Sequence, residues 1–399
     1  MKKLNPLLIM MLALGVFGII TTEMGIVGVL PQITQKFNIT TSQAGLLVSI
    51  FALVVAISGP FLTLLASGIN RKVILLTAVL MFMISNMVYA YTTSFKMMLA
   101  FRILPAIFHP IFFSVALVTA AKLVPLEKSG HAITKVFAGI TVGFAFGIPL
   151  TSFLAEQFSL EAAFLLGAIV SAIAFAGIFF WLPSMPVKEK MSYGKQISIL
   201  RKPGLWVNIA TVICIFAAMF TVYSYFAEYL GQVTHMNGSW ISFMLMLFGL
   251  IMIFGNFLFG SSLQKNMRKT VISFPLLYIV IYVLAYYFGS SFIPMAAVVF
   301  FWGIIHSGGL IVSQTWLMTE AKESPEFGNS LFVSFSNLGI TLGTSIGGWF
   351  ISQLGIHQLI WSGITFALLA FFFIMIKIKI LSSATEEIDV ASPPHPMKN

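Results

Sequence analysis

Charge and sulfur chemistry are nearly missing from this chain. Of 399 residues only 9% are charged, Cys214 is the sole cysteine and Asp389 the sole aspartate. A single cysteine excludes an internal disulfide, a multi-cysteine zinc site and a cysteine relay. A soluble domain carries about 25% charged residues because its surface faces water; at 9%, water is excluded as the solvent for most of this surface. No G-x-x-x-x-G-K-[ST] phosphate loop and no H-E-x-x-H zinc motif occurs, which removes ATP-driven chemistry and zinc proteolysis by this chain alone. The one G-x-S-x-G match, Gly343 to Gly347, sits in an apolar run, whereas a hydrolase nucleophile needs a strand-to-helix turn there. No catalytic set, metal site or cofactor is expected.

What is present is apolar. Hydrophobic residues make up 59%, with 40 Phe and 21 Met, and mean hydropathy is +0.99. Runs of spanning length, about 20 residues, fall at 7–30, 44–66, 73–91, 96–120, 133–155 and 162–182. A second set lies at 205–230, 239–260, 270–289, 292–316, 329–353 and 357–378. The expected fold is an all-α membrane protein of twelve transmembrane helices in two six-helix bundles, 1–182 and 205–378. A cytoplasmic linker at 183–204 joins them, and 379–399, rich in Ser and Pro, is expected to be a disordered tail. The first run follows Lys2 and Lys3 like a signal peptide, but it is too long for one and holds Glu23, so it is expected to stay as the first span.

The net charge of +10 is spread through short loops and does not form a nucleic-acid patch. Lys2, Lys3, Arg71, Lys72, Lys122, Lys128, the lysines of the linker, Lys265, Arg268, Lys269, Lys322 and Lys377 fall on one side, and only Lys36 and Lys96 on the other. The positive-inside rule then makes both termini and the linker cytoplasmic, in a multi-pass cell-membrane protein.

The halves repeat. GITVGFAFG at 139–147 and GITLGTSIG at 339–347 lie 200 residues apart, each with glycines four apart: Gly139, Gly143, Gly147 and Gly339, Gly343, Gly347. Such a face lets a neighbouring backbone approach closely. At the same offset Trp302 falls opposite Arg102 and Tyr223 opposite Glu23. Parallel duplication of this kind is a transporter architecture.

Charge within a span is costly, roughly 2.5–3.5 kcal/mol on insertion scales, so each case needs a reason. Glu23 and Arg102 lie at similar depth, about 9–11 Å from the charge-poor side, where an ion pair or a shared water cavity would serve. His109 follows Arg102 by two turns on the same face; proton coupling, substrate contact and plain packing are alternatives for it. His306, beside Gly303, Gly308 and Gly309, reads first as a packing residue. Glu228 reads as a solvated carboxylate near the interface, among Tyr223, Tyr225 and Tyr229. Phe113, Tyr223, Tyr225, Trp302 and both histidines are the candidates for a substrate cavity wall.

The segments TTEMGIVGVLPQIT (21–34), FRILPAIFHPIFFS (101–114) and FAGITVGFAFGIPL (137–150) resemble those of the major facilitator superfamily, and within it the twelve-helix drug:H⁺ antiporter branch of sugar, purine and drug exporters. The resemblance implies two bundles around a cavity that opens to either side in turn. It assigns proton coupling to Arg102 with Glu23 as its counterpart, and an antiporter motif to Gly139, Gly143, Gly147 and Pro149. The context of His109 resembles the sugar-efflux subgroup. The loop between the second and third spans departs from the family pattern. TLLASGINRK (63–72) has Ser67 at the usual aspartate and Asn70 at a glycine, keeping Arg71 and Lys72. Together these readings imply a monomeric, proton-coupled exporter of a small organic solute, with protons and lipid as its other partners. An uncoupled importer or facilitator is the alternative.

Overall fold

A computed structural model describes residues 6–65, 69–186 and 198–391. The chain is helical throughout that range: α1 Pro6–Phe37, α2 Thr41–Leu65, α3 Arg71–Tyr91 and α4 Phe95–Lys122. Next come α5, built of Ser129–Val142, Gly143–Gly147 and Ile148–Gln157, and α6, Leu160–Trp181. In the second half α7 is Pro203–Tyr223 with a short continuation Phe226–Gln232. Helices α8 and α9 share Gly238–Phe288 and part at Asn266, where φ −157° and ψ 89° interrupt the helix. Helices α10 (Phe292–Met318), α11 (Pro325–Leu354) and α12 (Leu359–Ala391) complete the chain.

In lipid every backbone N–H and C=O must be satisfied within the segment, which leaves helices as the solution for such runs. Among the described residues ten helices are long and apolar enough to cross a membrane, one of them the joined α8–α9 pair. Helix α11, diluted by Ser, Thr, Asn and Gly, packs between α2 and α7 and supplies the remaining span. Large side chains such as Ile293 and Phe257 stay exposed, as a lipid-facing surface requires.

Helix α12 runs to Ala391, into the segment read from sequence as a tail; Ala384, Glu386 and Glu387 favour helix there. Positions 392–399 and the linker positions 187–197 lie outside the described residues.

Within the first half α1 packs on α5 and α6, and α3 on α4 and α6; in the second, α7 packs on α11 and α12. Between halves α2 runs against α11, and α5 against α8. One apolar cluster, with Leu12, Val16, Phe82 and Ala174, draws its buried residues from the first half toward the end with the basic loops. The other joins Val27, Leu30 and Leu47 to Phe226, Phe248 and Trp302 of the second half. The two halves therefore share a core at the charge-poor end, called the far end below.

Candidate functional site

Helix α4 brings Arg102, His109 and Phe113 against α1 and α2. Arg102 is fully buried, and its guanidinium donates to three main-chain oxygens: Nε to Leu47 at 2.9 Å, Nη1 to Thr22 at 2.9 Å and Nη2 to Glu23 at 2.9 Å. Each carbonyl has a second lone pair beyond its helix bond, so the interaction leaves the helices intact. The guanidinium also lies over the Phe51 ring, 4.5 Å from its centroid.

The sequence allows Glu23 and Arg102 an ion pair or a shared water cavity; in the structure the Glu23 carboxylate lies against His109, with Oε2 3.0 Å from Nε2. Helix geometry gives the reason. Side chains tilt toward their own helix N-terminus, so Glu23 of α1 leans toward the basic end. Helix α4 runs the opposite way and places His109, not Arg102, at that level. The approach is off the hydrogen-bond direction, and both His109 nitrogens are buried without a hydrogen-bond partner. Phe51 and Phe113 flank the imidazole, at 5.8 and 4.7 Å between ring centroids.

The second half carries a counterpart built from aromatics. His306 stacks against Tyr223 at 4.6 Å and its Nδ1 lies 2.6 Å from the Tyr278 hydroxyl, which also accepts from Trp302 Nε1 at 3.3 Å. Phe226 and Phe248 close the group around Trp302. Positions 23 and 223 are equivalent in the duplication; at the same offset His109 matches Gly309, so His306 meets Tyr223 from a position about one turn earlier on α10. Phe144 of α5 reaches Tyr223 at 6.5 Å and brings a first-half ring to the second-half cluster. Tyr225 stands apart from both. Its hydroxyl donates to the Thr344 carbonyl and its ring sits against Gly45 of α2, so it belongs to the seam between halves.

The glycine repeat packs on α1 and α7 in matched fashion. A Cβ on Gly139 would meet the Ala13 carbonyl, and one on Gly339 the Ile213 carbonyl at 2.6 Å; Gly147 and Gly347 face Thr21 and Thr221. Gly343 lies on the Ala217 backbone, whereas Gly143 lies on the Ile20 side chain. The helix ladders differ too: Gly143–Gly147 is a π-helical turn, and α11 has none. Pro149 has no N–H for the Ala145 carbonyl, and the Ile148 N–H goes to Gly143 instead. That turn lets the backbone of Phe144 and Ala145 lie directly on Gly249 of α8.

At the basic end Asn70 holds the loop before α3. Its Oδ1 caps the Lys72 N–H at 3.0 Å and accepts from the Met185 N–H at 3.2 Å, and its Nδ2 donates to Ser184. The Arg71 N–H donates to the Met185 carbonyl, and Lys72 Nζ to that of Phe179. Ser67 lies outside the described residues. An open depression of about 450 Å³ at this end is lined by Met267, Gln314, Thr315, Met318, Thr319 and Lys322, none of them a sequence candidate.

Glu228 is not solvated. It is 6% exposed, and Oε1 accepts from Thr41 Oγ1 of α2 at 3.0 Å and from Gln232 at 2.6 Å. Tyr278, Phe51, Phe144 and Thr41 gave no sequence signal beyond their type, while Pro149 within a glycine-rich span did signal the irregular turn.

The sequence model described as Major Facilitator Superfamily matches residues 12–326. Inner membrane transport protein YdhP of Escherichia coli K12 is 30% identical over 352 residues, covering 88% of this chain and 90% of that protein. A protein named probable sugar efflux transporter from Helicobacter pylori G27 is 27% identical over 384 residues, covering 95% and 97%. A crystallised bacterial homologue of the human lysosomal transporter Spinster superposes with a TM-score of 0.79 at 18% identity, covering 94% and 97%. The chain is a multi-pass membrane transporter, not an enzyme, and belongs to the major facilitator superfamily.

Proposed function

We infer that the chain exports a small organic solute of the sugar, nucleoside or drug class in exchange for protons, by alternating access between its two halves. The observation that carries this reading is the 3.0 Å approach of Glu23 to His109 within the membrane, beside a buried Arg102. A buried carboxylate and imidazole in contact form one proton-binding unit. With Arg102 counted, the group is neutral when Glu23 is ionised and His109 neutral, and carries +1 after taking up one proton. The two states differ by a full charge within the membrane, the difference an exchange cycle needs. His109 Nδ1, buried and unbonded, is the polar atom a substrate hydroxyl would meet. Tyr223 and His306 offer an aromatic face from the other half. The name of the Helicobacter relative supports a sugar among the substrates.

Proteoliposomes loaded with a pH-sensitive dye test the reading, with a pentose, a nucleoside and a lipophilic cation supplied in turn. One of the three should move protons through the parent protein. Glu23→Gln, fixed neutral, should still exchange that solute down its gradient but should neither move protons nor export uphill. Normal uphill export by Glu23→Gln would sink the assignment of Glu23. Flux by the parent without proton movement would establish the facilitator reading.

A further inference from the structure

The far end of the molecule holds a second buried acid that the proposed exchange leaves without a role. Glu228 sits on Phe226–Gln232, the short continuation of α7 beyond the break at Ser224 and Tyr225. The break is fixed by α11: Ser224 Oγ lies 2.7 Å from Thr344 Oγ1, and the Tyr225 hydroxyl bonds the Thr344 carbonyl. This anchoring turns the Glu228 carboxyl across the seam onto Thr41, the first residue of α2. Thr41 and Glu228 belong to different halves, so their bond exists only while the far end is shut. The carboxyl is 6% exposed, and its second oxygen, Oε2, is buried with no hydrogen-bond partner.

Among the described residues no cation lies within ion-pair distance of Glu228. The charged and titratable groups on the surrounding elements are otherwise engaged or turned elsewhere. Lys36 of α1 is bound to Glu161 at 2.6 Å. His357, in the turn before α12, has Nε2 3.0 Å from the Tyr286 carbonyl. The Tyr229 hydroxyl is on the Ala285 carbonyl and that of Tyr225 on Thr344. His235 lies on the turn before α8 and is exposed. The outer end of α2 presents Thr41, Ser42 and Gln43, none of them charged. A carboxylate buried without a cation and with one oxygen unbonded is among the costliest groups a protein interior can hold, and a proton on that oxygen removes the charge.

We propose that Glu228 is the protonatable latch of the far-end gate: closure over Thr41 takes up one proton on Oε2, and opening releases it to the medium on that side. The step is an acid–base equilibrium, with a proton gained from the outer medium as the carboxyl is buried and returned as it is exposed. The proposal rests on alternating access and on the charge-poor end facing outward, but not on Glu23 being the carrier. Acid outside therefore favours the shut far end, by at most ~10-fold in the open-to-shut ratio per pH unit, the limit for one linked proton.

The test uses the full chain in intact cells, with Cys214→Ala and Ser242→Cys. Ser242 is buried and faces Ser152 across the same seam at 2.9 Å, so its cysteine meets a membrane-impermeant maleimide only when the far end opens. Rates are normalised to the same thiol in the denatured protein, which removes its own pH dependence. Lowering the external pH should slow labelling of the parent by several-fold or more. Glu228→Gln should label slowly at every pH, and Glu228→Asp should keep a pH response. Monodisperse elution of each variant in detergent confirms that it has folded. An unchanged pH response in Glu228→Gln, or fast labelling of it at all pH values, overturns the proposal. Glu23→Gln, in which Glu228 is intact, should still label more slowly as the external pH falls, whatever its basal rate. If Glu23→Gln loses the response while Glu228→Gln keeps it, the sensor is Glu23 and the latch is refuted. If Glu23→Gln keeps both uphill export and the labelling response, the carrier assignment fails while the latch stands.

Discussion

Arg102 donates to the main-chain oxygen of Glu23 at 2.9 Å and leaves the carboxylate of the same residue to His109. A fixed cation is thereby placed next to the proton-binding unit without being consumed by it. The guanidinium is spent on tying α1 and α2 to α4, so the charge cannot swing away when the carboxyl changes state. Its loss should accordingly register in stability as well as in transport.

For Arg102, hydrogen bonds to a charged donor are worth about 1.5–3 kcal/mol each, and three are at stake. Arg102→Ala should lower the melting midpoint in detergent by several degrees and abolish coupled export. Arg102→Lys should recover part of the stability, because an ammonium cannot span three carbonyls as the planar fork does. Melting of Arg102→Ala at the parent temperature would mean that the clamp does not hold the helices.

The two middle glycines of the repeat should differ. A Cβ on Gly343 would stand 2.5 Å from the Ala217 carbonyl oxygen and 2.8 Å from its Cα, atoms of a helix backbone that cannot step aside. A Cβ on Gly143 would meet Ile20 Cγ2 at 2.6 Å and Cβ at 2.8 Å, but the nearest main-chain atom, the Phe17 oxygen, is 3.6 Å away, so two backbones do not collide there. Gly343→Ala should cost about 1–3 kcal/mol, the range for overpacking, and lower folded yield. Gly143→Ala should be milder, and Leu at either position severe. Equal melting points for the two Ala variants would contradict the distinction.

Topology has its own test. Cysteines replacing Asn38, in the turn before α2, and Asn237, the N-cap of α8, should react with an impermeant thiol reagent in intact cells. One replacing Tyr193 should react only after lysis. Labelling of position 193 from outside would invert the orientation and, with it, the side to which Glu228 opens.

The sequence made the spans, the duplication and the basic end legible because each rests on a pattern along the chain: apolar length, a 200-residue recurrence, and lysines in loops. It also brought Glu23 and Arg102 to similar depth, with His109 two turns further along the face of Arg102, since helical rise and direction suffice for that. Which of them touch was not legible. Contact depends on the lean of Glu23 toward the start of its own helix and on carbonyls that no residue letter represents. The burial of Glu228 was hidden for a related reason. Its neighbours in sequence look interfacial, and its partner Thr41 lies in the other half. The irregular turn in α5 left one trace, Pro149, whose missing N–H alters the ladder one turn earlier.

Asn70 has a mechanical consequence for the chain that joins the halves. By gripping Ser184 and Met185, and with the Arg71 N–H on the Met185 carbonyl, it moors the first residues after α6 to the head of α3. The first bundle thus holds its chain through Met185 and not only to Trp181. For the first bundle this makes the residues up to Met185 one body with the head of α3, so a pull on the joining chain is delivered to α3 as well as to α6.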